Sequence, residues 1–165
     1  MNLRNLIVIF CAVVLFASCK SKKEIMRNDC IATAIEVGDR TAIVKAWGKG
    51  KTVADAKEDA KRTAVYCILF RGLASSESVS SSNLYPIVNK PGVEQEHYDY
   101  FEAFFAKNGK YQQFVRFADE EGRLGVGDAI RTSDGYKVGV VVVINKMLLR
   151  TEMENSGIIK KFGIY

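Results

Sequence analysis

The sequence predicts an α+β domain with a mostly antiparallel sheet of about five strands and about three helices, in the order β-β-α-α-β-β-β-α. Two observations support this prediction: β-rich runs occur in pairs separated by short turn-forming segments, and helix-spaced apolar positions follow them. The chain has 165 residues and shows no internal repeat at a fixed period. One domain over residues 30–165 therefore accounts for the chain after its N-terminal segments.

The first elements are a hairpin and a helix. Residues 31–37 and 41–47 are β-rich, and the Gly-Asp-Arg at 38–40 has the length and chemistry of a tight turn. Thr52 is placed to cap a helix that runs to a stop at Gly72. The apolar stripe of this helix is mostly alanine, and small residues allow a helix to lie close on a sheet. We therefore expect this helix to cover the hairpin.

A long connection separates the two halves of the domain. Residues 74–93 contain a serine-rich stretch and both prolines of the chain, without apolar periodicity. A connection of about twenty residues is either functional or a surface insertion, and we predict a mobile loop. A second helix is predicted over residues 94–106, ending at Asn108-Gly109. Its closely spaced aromatic side chains are typical of core packing.

The second half of the chain predicts three more strands and one more helix. The strands are predicted over residues 111–117, 123–132 and 136–144. The Ser-Asp-Gly at 133–135 predicts a hairpin between the last two. Because Val138 and residues 140–143 leave almost no polar position, we expect the last strand to be central and covered on both faces. A helix over 146–156 follows, and the apolar tail is expected to dock on the domain.

The N-terminus has the pattern of a cleaved signal peptide. Residues 6–17 form an uncharged apolar run that follows a single basic residue, Arg4, and precedes a lysine cluster at Lys20, Lys22 and Lys23. A membrane-spanning helix needs roughly 20 apolar residues, so this run is too short to span. We predict that residues 1–18 are removed.

The end of this run resembles the processing box of bacterial lipoproteins that are cut by the lipoprotein signal peptidase. The resemblance covers residues 1–19 and is carried by Phe16-Ala17-Ser18-Cys19. This chain has Phe16 where the family usually has leucine. The resemblance implies that Cys19 becomes the mature N-terminus and carries a thioether-linked diacylglycerol and an N-acyl chain. Such acyl chains hold a protein on a membrane. The alternative is an ordinary secretory signal followed by an incidental cysteine.

Residues 19–29 are predicted to be the lipidated N-terminus and a linker. They are polar and lack periodicity, and their lysines either touch anionic head groups or form a solvated tether. The formal net charge of the chain is +5 and is spread along the sequence, with acidic residues nearby. This balance does not indicate a nucleic-acid partner.

Four cysteines are present, and only two of them belong to the mature domain. Cys11 lies within the cleaved segment and Cys19 is the acylation site, which leaves Cys30 and Cys67. Two thiols in an oxidising compartment are able to pair, and a possible disulfide between these two would stabilise the fold by roughly 3 to 4 kcal/mol. The alternative is two small buried hydrophobes. In either case their role is structural, and no metal-ligand spacing accompanies them.

The sequence offers little that indicates catalysis. The segment 48–52 (Gly-Lys-Gly-Lys-Thr) lies between a predicted strand and helix but lacks the first glycine of a phosphate-binding loop, so we predict no nucleotide site. His97 is the only histidine, and no G-x-S-x-G motif accompanies it. The acidic pairs at 120–121 and at Glu152 with Glu154 are interpreted as solvated charge. We predict no catalytic residues, no cofactor and no metal.

A second resemblance covers about thirty residues. The segment 46–50 (Ala-Trp-Gly-Lys-Gly), followed by Asp55-Ala56 and the alanine-rich helix to Leu69, looks like a strand-Gly-x-Gly-helix unit. This unit occurs in small envelope lipoproteins of the lipoprotein-20 type and in the N-terminal region of the flagellar assembly T protein. The resemblance implies an α+β module with a structural or adaptor role and no catalysis.

Together, these patterns predict a lipid-anchored protein on the periplasmic face of the outer membrane. We expect it to contact the membrane through its anchor and to bind an envelope protein or a cell-wall polymer in a non-catalytic role. Two alternatives remain open at this point. One is a surface-exposed ligand binder or adhesin, and the other is an enzyme that acts on cell-wall or lipid substrates.

Overall fold

The computed structural model describes residues 30–74 and 85–161. Over these residues the chain forms an α+β fold with a five-stranded antiparallel sheet and four α-helices, which confirms the predicted fold class. The strands are β1 (Ala32–Val37), β2 (Thr41–Gly50), β3 (Val115–Phe117), β4 (Ala129–Thr132) and β5 (Gly135–Asn145). The helices are α1 (Val53–Tyr66), α2 (Val93–Glu96), α3 (Tyr98–Phe104) and α4 (Lys146–Asn155).

The sheet is organised around β5. This strand pairs along its length with β2, which in turn pairs with β1, and all of these pairs are antiparallel. Its other edge is shared by two short strands that lie end to end. One of them, β3, pairs with the Val142–Ile144 end of β5, and β4 pairs with the Gly135–Val138 end. The two predicted hairpins, β1–β2 and β4–β5, are both present.

Helix α1 covers one face of the sheet, as the alanine stripe predicts. Ala56, Ala60 and Ala64 are fully buried against the inward-facing side chains of β2 and β5. At Gly48 and Gly50 the sheet approaches the helix backbone so closely that a Cβ atom would overlap it. These two glycines therefore allow the close contact between helix and sheet, and they explain why the segment resembles a glycine-rich loop.

Local hydrogen bonds define both ends of α1. The backbone N–H of Asp55 donates to the Thr52 hydroxyl at 3.1 Å, and that hydroxyl donates to the Asp55 carboxylate at 2.7 Å. The helix continues through a π-helical turn, Cys67–Arg71, and stops at Gly72, which has a φ of 78°. The left-handed backbone favours glycine here. The predicted cap and stop of this helix are thus confirmed.

The second predicted helix is divided in two. His97 has φ −113° and ψ 36°, which interrupts the helical backbone between α2 and α3. The aromatic side chains of this region pack together as predicted: Phe101, Phe104 and Phe105 are buried and contact one another edge-on or in parallel. The helices therefore turn at His97 while their aromatic side chains stay in one core.

Two predicted strands are shorter than expected. The first part of the strand predicted over 111–117 belongs to a 3-10 helix, Lys110–Phe114, and only Val115–Phe117 is a strand. Of residues 123–132, only Ala129–Thr132 is a strand. The preceding residues form turns because the Asp119 carboxylate accepts the Arg123 N–H at 3.0 Å, and Gly122 has a positive φ. Such side-chain-to-backbone bonds compete with strand pairing.

The remaining connections attach to the core where they are described. The serine-rich residues 75–84 and the end of the tail, 162–165, lie outside the described residues. On one side of the serine-rich stretch, Ala74 bridges to Thr33 of β1. On the other, the N–H groups of Ile87 and Val88 donate to the turn after α1 at 2.9 Å, and Val88 is buried. Ile158, in the described part of the tail, is also buried.

The prediction that β5 is central is confirmed, but the prediction that it is covered on both faces is wrong. Val138, Val140, Val142 and Ile144 are buried beneath the helices, whereas Val141 and Val143 on the opposite face stay partly exposed. The buried side chains of the described chain form one core cluster, on the helix side of the sheet. Among the described residues, no helix has both the length and the apolar character needed to cross a bilayer.

Candidate functional site

The sheet face opposite the helices is the most distinctive surface of the described structure, and we call it the open face. Because side chains alternate along a strand, the registers of the five strands define its members. The open face consists of Ile31, Thr33, Glu36, Thr41, Ile43, Lys45, Trp47, Lys49, Arg116, Ile130, Thr132, Gly135, Lys137, Gly139, Val141, Val143 and Asn145. All of its residues other than Gly139 are partly or fully exposed.

Trp47 lies near the centre of one end of the open face. It pairs across the strands with Gly139 of β5, where a Cβ atom would come within 3.0 Å of the indole. The indole therefore covers the bare backbone of Gly139. The Nζ atoms of Lys45 and Lys137 lie over the ring, 5.7 and 5.3 Å from its centroid. This arrangement is a cation–π cluster in which one aromatic ring contacts two ammonium groups.

Asp128 attaches a neighbouring turn to this cluster. Its carboxylate forms an ion pair with Lys45 at 2.5 Å and accepts the Gly125 N–H at 3.0 Å, while its carbonyl accepts the Gly139 N–H at 2.8 Å. The hydrogen bond from Lys45 holds the pKa of this carboxyl below its usual value. The turn is thereby fixed beside the open face, with the fully exposed Val126 at its tip.

The open face combines positive charge with apolar side chains. Its basic residues are Lys45, Lys49, Lys137 and Arg116, and its one acidic member is Glu36. Asp128 neutralises Lys45, so the surface keeps an excess of positive charge. The apolar side chains at the Trp47 end include Ile31, 44 % exposed, and Ile130, 47 % exposed. Such a surface is suited to a partner that is anionic and also has an apolar region, because the basic residues contact the charge and the aliphatic side chains contact the apolar region.

On the helix side, Glu152 forms a polar cluster, which corrects the interpretation of Glu152 and Glu154 as solvated charge. The Glu152 carboxylate accepts from Lys110 Nζ at 2.7 Å, from the Tyr100 hydroxyl at 2.9 Å and from the Ser156 hydroxyl at 3.2 Å. Burial raises its pKa, but these donors outweigh burial and leave the pKa below its usual value. Glu154 pairs with Arg150 at 3.1 Å, and both glutamates are only about one-sixth exposed.

A partly buried hydrogen bond joins α1 to α2. The Tyr66 hydroxyl donates to the Glu94 carboxylate at 2.9 Å. Burial, together with this carboxylate, raises the pKa of Tyr66 to about 12. The pKa of Tyr100 is likewise raised to about 12, chiefly by burial. Both tyrosines therefore stay protonated at neutral pH and act as hydrogen-bond donors that connect helices.

The structure places the predicted site residues as follows. Cys19 lies outside the described residues. Cys30 and Cys67 are joined by a disulfide, with their Cα atoms 6.1 Å apart. This bond attaches the chain two residues before β1 to the first residue of the π-helical turn after α1. His97 lies between α2 and α3, where its carbonyl accepts the Phe101 N–H at 3.1 Å.

The segment 48–52 is built for packing. β2 is antiparallel to both of its neighbours, whereas a phosphate-binding loop follows a parallel strand. Gly48 and Gly50 face α1, as described above, and Thr52 caps that helix. Across residues 30–74 and 85–161, no group of three or more His, Cys, Asp or Glu side chains is arranged to hold a metal ion.

A cavity of about 450 Å³ lies on the helix side, between α1 and the 3-10 helix. It is lined by charged residues of both signs, and most of these pair with one another. Lys61 forms an ion pair with Glu58 at 2.8 Å, and Arg62 pairs with Asp59. The cavity therefore offers less uncompensated charge to a ligand than the open face does.

The open face was not identified from the sequence, although two signals for it were present. Lys45, Trp47 and Lys49 alternate along β2, which places all three on one face. Gly139 interrupts the valine run at the position that pairs with Trp47.

Comparisons with protein-family models, curated proteins and solved structures give no match for this chain. The function is therefore argued from these residues and their geometry.

Proposed function

We propose that this chain is a lipid-anchored envelope protein on the periplasmic side of the outer membrane, with a non-catalytic binding role carried by the open face. The observation that supports this most strongly is the open face itself. It presents Trp47 between Lys45 and Lys137 on a sheet whose other face carries the core of the described structure. A rigid sheet fixes the backbone from which these side chains project, which lowers the ordering cost of binding.

The proposed anchor is supported by the N-terminal sequence. An apolar run too short to span a bilayer ends in Phe16-Ala17-Ser18-Cys19, the order of small residues and cysteine that a lipoprotein box requires. A disulfide between Cys30 and Cys67 agrees with an oxidising compartment outside the cytoplasm. Both features fit a protein that is exported and then tethered.

The non-catalytic role is supported by the ion pairs that the carboxylates form within the fold. Three carboxylates of low exposure, Glu152, Glu154 and Asp128, are each paired with a cation that belongs to the fold. The pKa values of Asp128 and Glu152 lie below the usual range, which suits a structural role better than proton transfer at neutral pH. Glu152 and Asp128 also hold turns and helices together.

The anchor is tested by fatty-acid labelling of the protein in its host cells, followed by membrane fractionation. We expect wild type to incorporate a labelled fatty acid and to sediment with the outer membrane, and Cys19→Ser to lose the label and leave that fraction. Cys11→Ser is the matched control, because it removes another N-terminal cysteine without touching the proposed acylation site. A wild-type protein without label would contradict the proposal.

A further inference from the structure

We propose that the Trp47 end of the open face docks on the anionic phospholipid surface to which the acyl chains tether the domain. This inference rests on the proposed function and goes further, because it names the partner of the open face as a lipid surface. It also assigns the docking to Trp47, Lys45, Lys137 and the aliphatic side chains beside them.

The position at which the chain joins the fold supports this partner. Ile31 is the residue aligned with Trp47, and its carbonyl accepts the Trp47 N–H at 3.2 Å. Just before it, Cys30 is fixed to α1 by its disulfide. Cys19 lies eleven residues before Cys30. At about 3.5 Å per residue, this length of chain reaches at most about 38 Å. Because Cys30 directly precedes Ile31, the domain joins its tether at the Trp47 end of the open face.

The chemistry of this end matches a bilayer interface. Tryptophan concentrates at the level of the head groups, where its ring is apolar and its N–H finds a hydrogen-bond partner. Ile31 and Ile130 are nearly half exposed, and Val126 is fully exposed at the tip of its turn. Such aliphatic groups enter the boundary between head groups and acyl chains, while lysines such as Lys137 contact lipid phosphates.

The same surface is less suited to other occupants. A second copy would bring the basic side chains of two open faces together, which opposes association. A neutral polysaccharide carries no charge to pair with the basic residues of the open face. Excess positive charge and protruding aliphatic groups both favour an anionic lipid surface.

The tether makes a weak contact sufficient. Because acyl chains confine the domain within tens of ångströms of the bilayer, docking becomes an intramolecular step at a high effective concentration. A face that binds free vesicles only weakly would therefore be docked most of the time in the anchored protein. Docking would also orient the domain, with the helix layer turned toward the aqueous compartment.

The docking is tested without the anchor. The unacylated chain that begins at Cys19→Ser contains every element of the described fold, and it is mixed with phosphatidylcholine vesicles that contain about one third phosphatidylglycerol or none. Trp47 is the single tryptophan of the chain, so its emission reports the open face alone. We expect cosedimentation and a blue shift with the anionic vesicles, with quenching by brominated acyl chains.

Two pairs of substitutions separate the open face from charge in general. Lys45→Gln with Lys137→Gln removes the two ammonium groups over Trp47, and we expect the partition coefficient to fall roughly 30-fold, about fivefold for each charge. The matched control is Lys107→Gln with Lys160→Gln, which removes the same charge from exposed positions outside the open face. We expect this control to bind within about twofold of wild type. Circular dichroism verifies the fold of each variant.

The possible outcomes distinguish the docking from the anchor. If the folded, unacylated protein does not bind anionic vesicles while the acylated protein stays in the membrane, the docking proposal is wrong and the proposed lipid anchor is retained. Vesicle binding together with absent fatty-acid label would contradict the anchor and leave the docking. Equal losses in the two double variants would overturn the assignment to the open face. A blue shift of Trp47 that depends on protein concentration alone would show a second copy as the occupant, which also overturns it.

Discussion

Gly48→Ala adds one methyl group at the place where β2 and α1 lie closest together. A Cβ atom there would lie 2.7 Å from the carbonyl carbon of Asp59, and it would overlap backbone atoms of Ala56 and Ala60 as well. These are backbone atoms of a helix, so no side-chain rotation relieves the overlap. The helix must recede by roughly 1 Å, and a gap of that size removes a quarter to a half of the dispersion energy of the atoms that line it.

This displacement sets the expected size of the effect. Ala56, Ala60 and Ala64 would all lose contact with the sheet, so we expect a cost at the upper end of overpacking, about 3 kcal/mol. An unfolding entropy of about 2.1 cal/mol/K per residue over about 130 residues converts this cost into a fall in Tm of about 11 °C. Thermal unfolding followed by circular dichroism measures it.

Two other glycines provide graded controls. At Gly139 the nearest atom to an added Cβ is in the Trp47 indole at 3.0 Å, and this ring lies on the open face and is free to tilt outward. We expect Gly139→Ala to cost less than about 1 kcal/mol. At Gly38 the nearest atom lies at 3.6 Å, an ordinary contact, so Gly38→Ala should leave Tm nearly unchanged. If Gly48→Ala were as stable as Gly38→Ala, the account of the packing between helix and sheet would be refuted.

Three further predictions follow from buried groups. Glu152→Gln should lower the free energy of unfolding by about 1–3 kcal/mol at pH 7. Because the pKa of Glu152 is lowered in the folded state, this difference should shrink below about pH 4.5 in urea titrations, and a constant difference would contradict it. Cys67→Ser, or reduction of the bond to Cys30, opens a 37-residue loop and should lower the free energy of unfolding by about 4 kcal/mol. An unchanged midpoint of urea unfolding would argue against the disulfide. Tyr66 and Tyr100 should ionise near pH 12 when followed by ultraviolet absorbance. The free energy of unfolding should fall above pH 10, because the tyrosines of the unfolded chain ionise there while those of the folded chain do not. Titration of both near pH 10 would show that they are not buried.

The elements that the sequence predicted well are those with local signals. The turns at 38–40 and 133–135, the Thr52 cap and the Gly72 stop each depend on a few neighbouring residues, and the structure contains all four. The alanine stripe of α1 also predicted its close packing, because small side chains set the distance between helix and sheet. Local chemistry was sufficient for these features.

The features that the sequence did not predict depend on distant parts of the chain. A run such as 140–143 has the same composition whether its strand is covered on one face or on both, and only the placement of the helices decides between them. Here one layer of helices leaves Val141 and Val143 partly exposed. Likewise, Glu152 accepts a hydrogen bond from Lys110, which lies 42 residues away, just before the segment 111–117 that was predicted as a strand. No local sequence pattern predicts a contact between residues so far apart in the chain.

The proposed docking surface is the open face rather than the helix layer. The most direct measurement is photocrosslinking in intact cells, with a photoreactive amino acid in place of Ile130 on the open face or of Lys107 on the helix side. We expect a phospholipid adduct, identified by mass, from position 130 and none from position 107. An adduct from position 107 with none from position 130 would contradict it.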